Sequence, residues 1–448
     1  MGITPAHQLN KVIVGLGKTG LSYARYLHKK NENFTVVDSR ENPPGLKEFS
    51  ENYPKIKVEL GRFKESTLLN AAELLVSPGV DLREPALAKA IERDIPITGD
   101  INIFAKNITV PIVAITGSNA KTTVVTLLGE MAKQSGVDAV VAGNIGKPVL
   151  DLLNEKIRKL YVLEVSSFQL ETTSELGAEV ACVLNISADH MDRYDSMLEY
   201  HAAKHRIFQA CKQAVVNRDE PLSRPLLPAS VKQWSYGLDE GDINQFGLIE
   251  NRGDCYLAFN KKNLMPVKEV KLSGRHNLSN ALAALAIGYA VGLNMSAMLQ
   301  TLREFSGLPH RCQWIADIAG VSYYNDSKGT NVGACDAALR GLGKVNNVIL
   351  IAGGQGKGGV FSDLGAALKK HGKLLIVFGE DADHISLALN QIVSTKKVRS
   401  LQEAVKLASD QARSGDIVLL SPACASFDMF ENYEKRGEAF IEAVEALH

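Results

Sequence analysis

No two cysteines in this 448-residue chain are spaced for a metal ribbon or a redox centre. The six, Cys182, Cys211, Cys255, Cys312, Cys335 and Cys424, are scattered without a C-x-x-C pair. That sets aside a zinc ribbon, a thioredoxin-type dithiol and a disulfide framework, and leaves reduced, mostly buried thiols. A surplus of one charge is missing too. Lys plus Arg is 50 and Asp plus Glu is 50, so no global field draws the chain to nucleic acid or to an anionic membrane, and any anionic ligand must be held locally. No stretch reaches the roughly 18 uninterrupted apolar residues of a membrane span, and Met1 to Asn10 carry no apolar leader core. The expectation is a soluble cytoplasmic protein, with no nucleic-acid or membrane partner, acting as a monomer.

What is present is a rhythm. Short β-branched runs alternate with helical stretches: Val12-Ile-Val14, Phe34-Thr-Val-Val37, Leu74-Leu-Val76, Ile112-Val-Ala-Ile115, Tyr161-Val-Leu163 and Val180-Ala-Cys-Val-Leu184. The pattern resumes with Asn347-Val-Ile-Leu-Ile351, Leu374-Leu-Ile-Val-Phe378 and Ile417-Val-Leu-Leu420. Such alternation predicts α/β architecture with parallel sheets covered on both faces. Between 230 and 272 the texture changes to short polar-flanked strands, which suggests a small antiparallel insert. Length alone gives about three domains at roughly 150 residues each. The rhythm breaks near Ile97-Thr-Gly-Asp100 and near Phe305-Ser-Gly-Leu-Pro309, which predicts domains over 1–99, 100–306 and 307–448.

Two glycine loops carry chemistry. Gly15-Leu-Gly-Lys-Thr-Gly20 follows a strand and opens a helix, and the next strand ends at Asp38. In that setting glycines let backbone approach a phosphate at the positive end of a helix, and an acidic residue can meet a ribose or base. Three readings stand at this point: a tight strand-to-helix turn, a nicotinamide dinucleotide site, or a site for another nucleotide diphosphate. The second loop, Thr116-Gly-Ser-Asn-Ala-Lys-Thr-Thr123, again joins a strand to a helix. Its backbone N–H groups suit phosphate oxygens, Lys121 the β- and γ-phosphates, and the Thr122 hydroxyl a Mg²⁺ ion. Ala120 stands where glycine usually precedes the lysine, a position alanine is expected to tolerate only at negative φ. The two strands that follow deliver Glu164 and Asn185 to His190 to the same sheet edge, where oxygen and imidazole ligands suit Mg²⁺ or Mn²⁺ beside ATP.

With Gly117-Ser-Asn-Ala-Lys-Thr-Thr123, Glu164-Val-Ser-Ser-Phe-Gln-Leu-Glu171, Asp189-His-Met-Asp-Arg193 and Ala202-Ala-Lys204 in order, the sequence resembles the Mur ligase family. The Gly15 to Gly20 loop, Leu75-Val-Ser-Pro-Gly79, Asp326-Ser-Lys-Gly-Thr-Asn331 and Ser421-Pro-Ala-Cys-Ala-Ser-Phe-Asp428 resemble the branch that adds D-glutamate to UDP-N-acetylmuramoyl-L-alanine. The resemblance implies an N-terminal Rossmann-like domain for the UDP substrate, a central phosphate-loop domain for ATP and a C-terminal Rossmann-like domain for D-glutamate. It reassigns the first glycine loop to UDP. It implies that Gly17, Thr19, Asp38, Ser39, Arg40, Asn144 and Ser166 face the sugar nucleotide. Gly117, Ser118, Asn119, Ala120, Lys121, Thr122, Thr123, Asn277, Asn280, Arg311 and Asp326 would face ATP, and Lys328, Thr330, Lys357, Ser426 and Tyr433 would hold D-glutamate. Two Mg²⁺ ions are implied, one near Thr122 and Glu164, the other near His190 and Lys204. Lys204 matches the lysine the family carbamylates; without that match it reads as an ordinary helix-surface lysine.

The implied chemistry is attack of the L-alanyl carboxylate on the γ-phosphorus of ATP, then attack of the D-glutamate amine on the acyl-phosphate. Lys121, Glu164, His190 and Lys204 are the expected catalytic set, with His190 also a candidate proton acceptor, and the C-terminal domain is expected to close before phosphoryl transfer. Two departures from the family pattern, Ala120 and Gly329 where alanine is expected, predict altered loop geometry rather than lost function. Gly354-Gln-Gly-Lys-Gly-Gly359 reads as presenting Lys357 to a carboxylate. The rival readings are a sister ligase for another amino acid, a folylpolyglutamate synthase (disfavoured by the first loop), a nucleotide-dependent dehydrogenase and a nucleotide-binding regulatory module.

Overall fold

A computed structural model describes residues 10–272 and 274–447. Residues 1–9, which carry most of the stretch read for a leader, Ser273 and His448 lie outside the described residues. Strands form where β-branched and aliphatic runs can be buried on both faces. In the first sheet these are β1 (Lys11–Val14), β2 (Phe34–Val37), β3 (Val58–Glu59), β4 (Glu73–Val76) and β5 (Ile97–Thr98), all parallel in the order β3-β2-β1-β4-β5.

The central sheet contains β6 (Ile112–Thr116), β7 (Ala139–Gly143), β8 (Leu160–Glu164), β9 (Val180–Val183), β10 (Gln213–Asn217), β11 (Lys232–Tyr236), β12 (Gln245–Asn251), β13 (Asp254–Phe259) and β14 (Lys262–Pro266). Its order is β14-β13-β12-β11-β10-β9-β6-β8-β7. The expected antiparallel insert is narrower than the sequence suggests. Strand β11 runs parallel to both β10 and β12, and only β12, β13 and β14 form an antiparallel meander, which extends the main sheet. The third sheet has β15 (Gln313–Ile318), β16 (Val321–Asn325), β17 (Val348–Gly353), β18 (Gly372–Phe378), β19 (Thr395–Lys397) and β20 (Ile417–Leu420), ordered β15-β16-β20-β17-β18-β19. It is parallel except for the β15–β16 ribbon.

The first two sheets share a core. One apolar cluster runs from Ile13, Tyr23 and Leu75 through Phe104 to Tyr161, Leu163 and Ala181, and Arg25 reaches across to Asp151 with paired bonds of 2.8 and 2.7 Å. The third sheet keeps its apolar clusters to itself, one on each face. Parallel sheets bring their loops out at the carboxyl ends of the strands, where open α/β folds bind ligands, and both phosphate-type loops and the Asp326 loop emerge at such ends. No helix among the described residues is long and apolar enough to cross a membrane.

Candidate active site

The second glycine loop leaves β6 and enters the helix Lys121–Gln134 through Ala120, whose φ is +67°. This overturns the expectation of negative φ: the alanine sits in the left-handed region, at a cost of roughly 1–2 kcal/mol that the surrounding loop must offset. The offset is visible as a dense polar frame. Asn119 N–H donates to Asn185 Oδ1 at 2.8 Å and its carbonyl accepts from Asn185 Nδ2 at 3.2 Å. Ser118 Oγ donates to the Ser187 carbonyl at 2.9 Å and accepts its N–H at 3.0 Å.

Two lysines meet on one carbonyl. Lys121 Nζ donates to Gly117 O at 2.6 Å and to Ser118 O at 3.0 Å, and Lys204 Nζ donates to Gly117 O at 3.0 Å. Lys204, on the helix Met197–His205, is only 2% exposed, and its ammonium lies 4.5 Å over the Tyr200 ring. Burial and the charge of Lys121 hold Lys204 well below the ordinary lysine range, although Asp189 and Glu164 oppose the shift. Burial likewise lowers Lys121. The surface-lysine reading of Lys204 is therefore wrong for this fold. Beside them Thr122 Oγ1 donates to Glu164 Oε2 at 2.8 Å and Asn144 Nδ2 to Glu164 Oε1 at 3.0 Å. His190 has a φ of +58°, lies 3.7 Å from Asp189, and is held below the ordinary histidine range by burial and by Lys357, Lys121 and Lys204.

Two clefts flank this centre. The larger, ≈ 900 Å³, is lined by Gly17, Thr19, Asp38, Ser39, Arg40, Asn144 and His190 from both sides of the first domain boundary. Within it Asp38 is spoken for by its own loops. Its carboxylate accepts the Leu16 N–H at 2.7 Å and the Arg40 guanidinium at 2.9 and 2.7 Å, which holds it below the usual carboxylate range despite burial. It thus shapes the glycine loop and aims Arg40. Ser166 does not line this cleft; it caps the short helix Ser167–Glu171 in a reciprocal box with Gln169. Arg193, which sequence reasoning passed over, lines the cleft with its guanidinium 4.3 Å over the Phe168 ring. Its place in the Asp189 to Arg193 run was the available signal.

The other cleft, ≈ 480 Å³, lies between the central and third sheets. Asn119, Ala120, Thr123, Asn277, Asn280, Arg311, Asp326 and Lys328 line it, and Asn280 Nδ2 donates to Asn277 Oδ1 at 3.1 Å. Asp326 is buried and pushed up to about 6, mainly by loss of water, with Ser421 Oγ donating to it at 2.7 Å. Gly329 folds over it: a Cβ there would lie 2.6 Å from Asp326 Oδ2 and 2.8 Å from Ser421 Oγ. The alanine expected at this position does not fit this loop as it stands.

The remaining residues gather at the carboxyl ends of β16, β20 and β17. Lys328 Nζ lies 4.0 Å over the Tyr433 ring and is lowered to about 8 by burial and by Arg311 and Lys121. Thr330, Lys357 and the buried Ser426 belong to the loops around it. Lys357 itself has a φ of +48°. Arg436, absent from the sequence reading, ties these loops together. Fully buried, it donates to Ser327 Oγ at 3.0 Å and to the carbonyls of Ser327 at 2.8 Å, Cys424 at 3.0 Å and Ala425 at 3.2 Å. Its signal was an arginine on the apolar stripe of the helix Tyr433–Glu445, beside Gly437, Phe440 and Val444. The result is a corner rich in cations, in which an anion would restore the depressed proton affinity of Lys328.

Among the described residues no three His, Cys, Asp or Glu side chains are placed to hold a metal. The Thr122 hydroxyl and the Glu164 carboxylate do form a pair of hard oxygens, which fits Mg²⁺ that shares its remaining positions with phosphate and water.

Sequence models of the family match in three stretches: the MurD-like N-terminal domain over 9–99, the Mur ligase middle domain over 115–288 and the Mur ligase glutamate ligase domain over 310–424. The chain is similar to the UDP-N-acetylmuramoylalanine–D-glutamate ligase of Pseudomonas fluorescens, 53% identical over 439 residues with 98% of each chain covered. The enzyme of the same name from Hahella chejuensis is 49% identical over 444 residues, 99% of each. Among solved structures, a pseudomurein peptide ligase type C from Methanothermus fervidus aligns with a TM-score of 0.62 at 20% identity over 98% of this chain and 100% of that one. The MurF ligase of Thermotoga maritima aligns at 0.60 and 17% identity over 100% and 98%; these two share the fold. With glycine loops, buried lysines and near full-length relatives in agreement, the chain belongs to the Mur ligase family.

Proposed function

We propose that this chain joins D-glutamate to UDP-N-acetylmuramoyl-L-alanine at the expense of ATP, a step of peptidoglycan precursor synthesis, working in the cytoplasm as a monomer. The observation that carries the reading is the relay Asn144–Glu164–Thr122, with bonds of 3.0 and 2.8 Å. It joins the larger cleft, through Asn144, to the phosphate loop, through Thr122, which supports a reading in which a carboxylate held in that cleft would lie beside the γ-phosphate end of ATP. The curated relatives carry this activity in their names over 98% of the chain. Domains over 1–99, 100–306 and 307–448 would bind the UDP-sugar, ATP and D-glutamate in turn.

Gly17, Thr19, Ser39 and Arg40 would hold the UDP end and Asn144 the sugar side. The loop Gly117 to Thr123 would cradle the phosphates, with Asn277 and Asn280 on the adenine side and Arg311 and Asp326 on the phosphate and ribose side. The alanyl carboxylate attacks the γ-phosphorus, ADP leaves, and charge on the phosphoryl oxygens is met by Lys121. The amine of D-glutamate, held by Lys328, Thr330, Lys357, Ser426 and Tyr433, then displaces phosphate from the acyl-phosphate. Thr122 and Glu164 would hold one Mg²⁺, and His190 with a carbamylated Lys204 a second; the ions supply charge neutralisation at the phosphates. A lysine must be neutral to take up CO₂, and the burial of Lys204 favours that form.

Phosphate release from ATP with UDP-N-acetylmuramoyl-L-alanine tests the reading, with D-glutamate, L-glutamate, diaminopimelate and L-lysine offered in turn. Release dependent on D-glutamate is expected; release that ignores it, or follows another amino acid, contradicts the assignment.

A further inference from the structure

The helix Val332–Leu342 begins at Asn331, whose side chain bonds both to its own helix and to the central domain. Its Oδ1 accepts the Ala334 N–H at 2.8 Å, the capping bond. Its Nδ2 donates to Asn119 Oδ1 at 3.1 Å and to Asp189 Oδ2 at 3.0 Å. Both acceptors lie on the central domain: Asn119 in the phosphate loop, Asp189 next to His190. Gly333 permits the approach, since a Cβ there would sit 2.6 Å from Ser187 Oγ and 3.4 Å from Asn119 Nδ2.

Capping alone does not demand asparagine; serine or aspartate caps as well. Only an amide both accepts from the helix and donates twice outward. The bridge also stands where apolar adhesion is weak, because the third sheet's core clusters include no central-domain residue, whereas the first two sheets share one. Seating of the third sheet on the ATP centre therefore leans on directional bonds, and one side chain makes two of them. Immediately before it runs Lys328 to Thr330, the segment read above as holding the amino acid.

We propose that Asn331 is a positioning residue: it locks the C-terminal domain onto the phosphate loop and the Asp189–His190 corner, and thereby sets the Lys328 to Thr330 segment in register with the ATP centre. The amino-acid part of this proposal rests on the ligase reading. Because the bridge links the two segments, the state of the phosphate loop and the affinity for the amino acid are coupled in both directions.

Two variants separate bridge from cap. Asn331→Asp keeps the cap and turns a carboxylate toward Asp189, a like-charge contact that opposes seating. Asn331→Ser keeps the cap and is too short to reach across. For each, hydrogen exchange is followed in peptides covering 117–123 and 187–190 of the full chain, alongside KM for D-glutamate and for the UDP-sugar. The expected result is at least tenfold faster exchange in those central-domain peptides for Asn331→Asp, with a smaller rise for Asn331→Ser. KM for D-glutamate rises at least tenfold while KM for the UDP-sugar stays within twofold. Unchanged exchange and KM in both variants overturns the proposal, as does a loss of thermal stability with central-domain exchange unchanged, which marks a purely local cap. If the parent chain does not ligate D-glutamate, the ligase reading has failed, and exchange alone still decides whether the bridge exists.

Discussion

Ala120 and Gly329 are each the reverse of what their loops were expected to need. Ala120 occupies left-handed space at φ +67°. Glycine there would relieve about 1–2 kcal/mol of backbone strain and give back roughly 0.4–1 kcal/mol through a freer unfolded chain. Ala120→Gly should therefore stabilise by about 0.5–1 kcal/mol, seen as a higher denaturant midpoint; a lower midpoint would show the strain to be absent. Gly329→Ala forces a methyl group onto the Asp326–Ser421 pair. Overpacking of that kind costs about 1–3 kcal/mol, and KM for ATP should rise on the order of tenfold, with KM for the UDP-sugar unchanged. Lys204→Arg keeps a cation and blocks carbamylation, and turnover should fall by about 100-fold or more; near-parental turnover would remove Lys204 from the mechanism. The Lys328 value of about 8 against an ordinary 10.5 sets a pH dependence. Its burial penalty weighs on the folded state fully below pH 8 and is relieved as pH rises toward 10.5. Binding of a carboxylate runs the other way, since it needs the ammonium. KM for D-glutamate should climb as pH passes 8, and calorimetry in buffers of different ionisation enthalpy should show proton uptake on binding; a flat profile from pH 7 to 9.5 would contradict this.

At the scale of elements, the strands were legible because a buried parallel strand writes its whole length in aliphatic and β-branched residues. Phe34–Val37 and Ile417–Leu420 fall where the sequence places them. Strands of two or three residues such as β3, β5 and β19 carry too few residues to set a period. β7, Ala139–Gly143, was missed because an edge strand is half exposed and reads as a loop. The meander over β12 to β14 was seen as antiparallel, but β11 shows no mark of direction in its side chains, and direction is set by the chain's return path. The site divides the same way. Of the residues within motifs, Thr122 and Glu164 do meet at hydrogen-bond distance, and Lys121 bonds the carbonyls of its own loop at Gly117 and Ser118. Arg436 and Asn331 each add to their nearer bonds a contact far away in sequence, at separations of 109 and 212 for Ser327 and Asn119, and no local pattern announces a partner at that range.

Over the whole molecule, two sheets share a core and the third docks beside them, so relative motion is expected at the second junction more than at the first. The larger cleft reaches Asn144 and His190 and the smaller one Asn119 and Ala120, on either side of the loop that holds the two lysines at Gly117; in the function proposed above, a carboxylate from the larger cleft would meet phosphate from the smaller one there. The central claim is that this carboxylate is phosphorylated before it is joined to the amine. UDP-N-acetylmuramoyl-L-alanine carrying ¹⁸O in both oxygens of its alanyl carboxylate, incubated with ATP, Mg²⁺ and D-glutamate, tests it by mass spectrometry of the phosphate released. The account predicts phosphate bearing one ¹⁸O per turnover, the oxygen that attacked phosphorus and left with it; phosphate free of ¹⁸O alongside ligated product would contradict it.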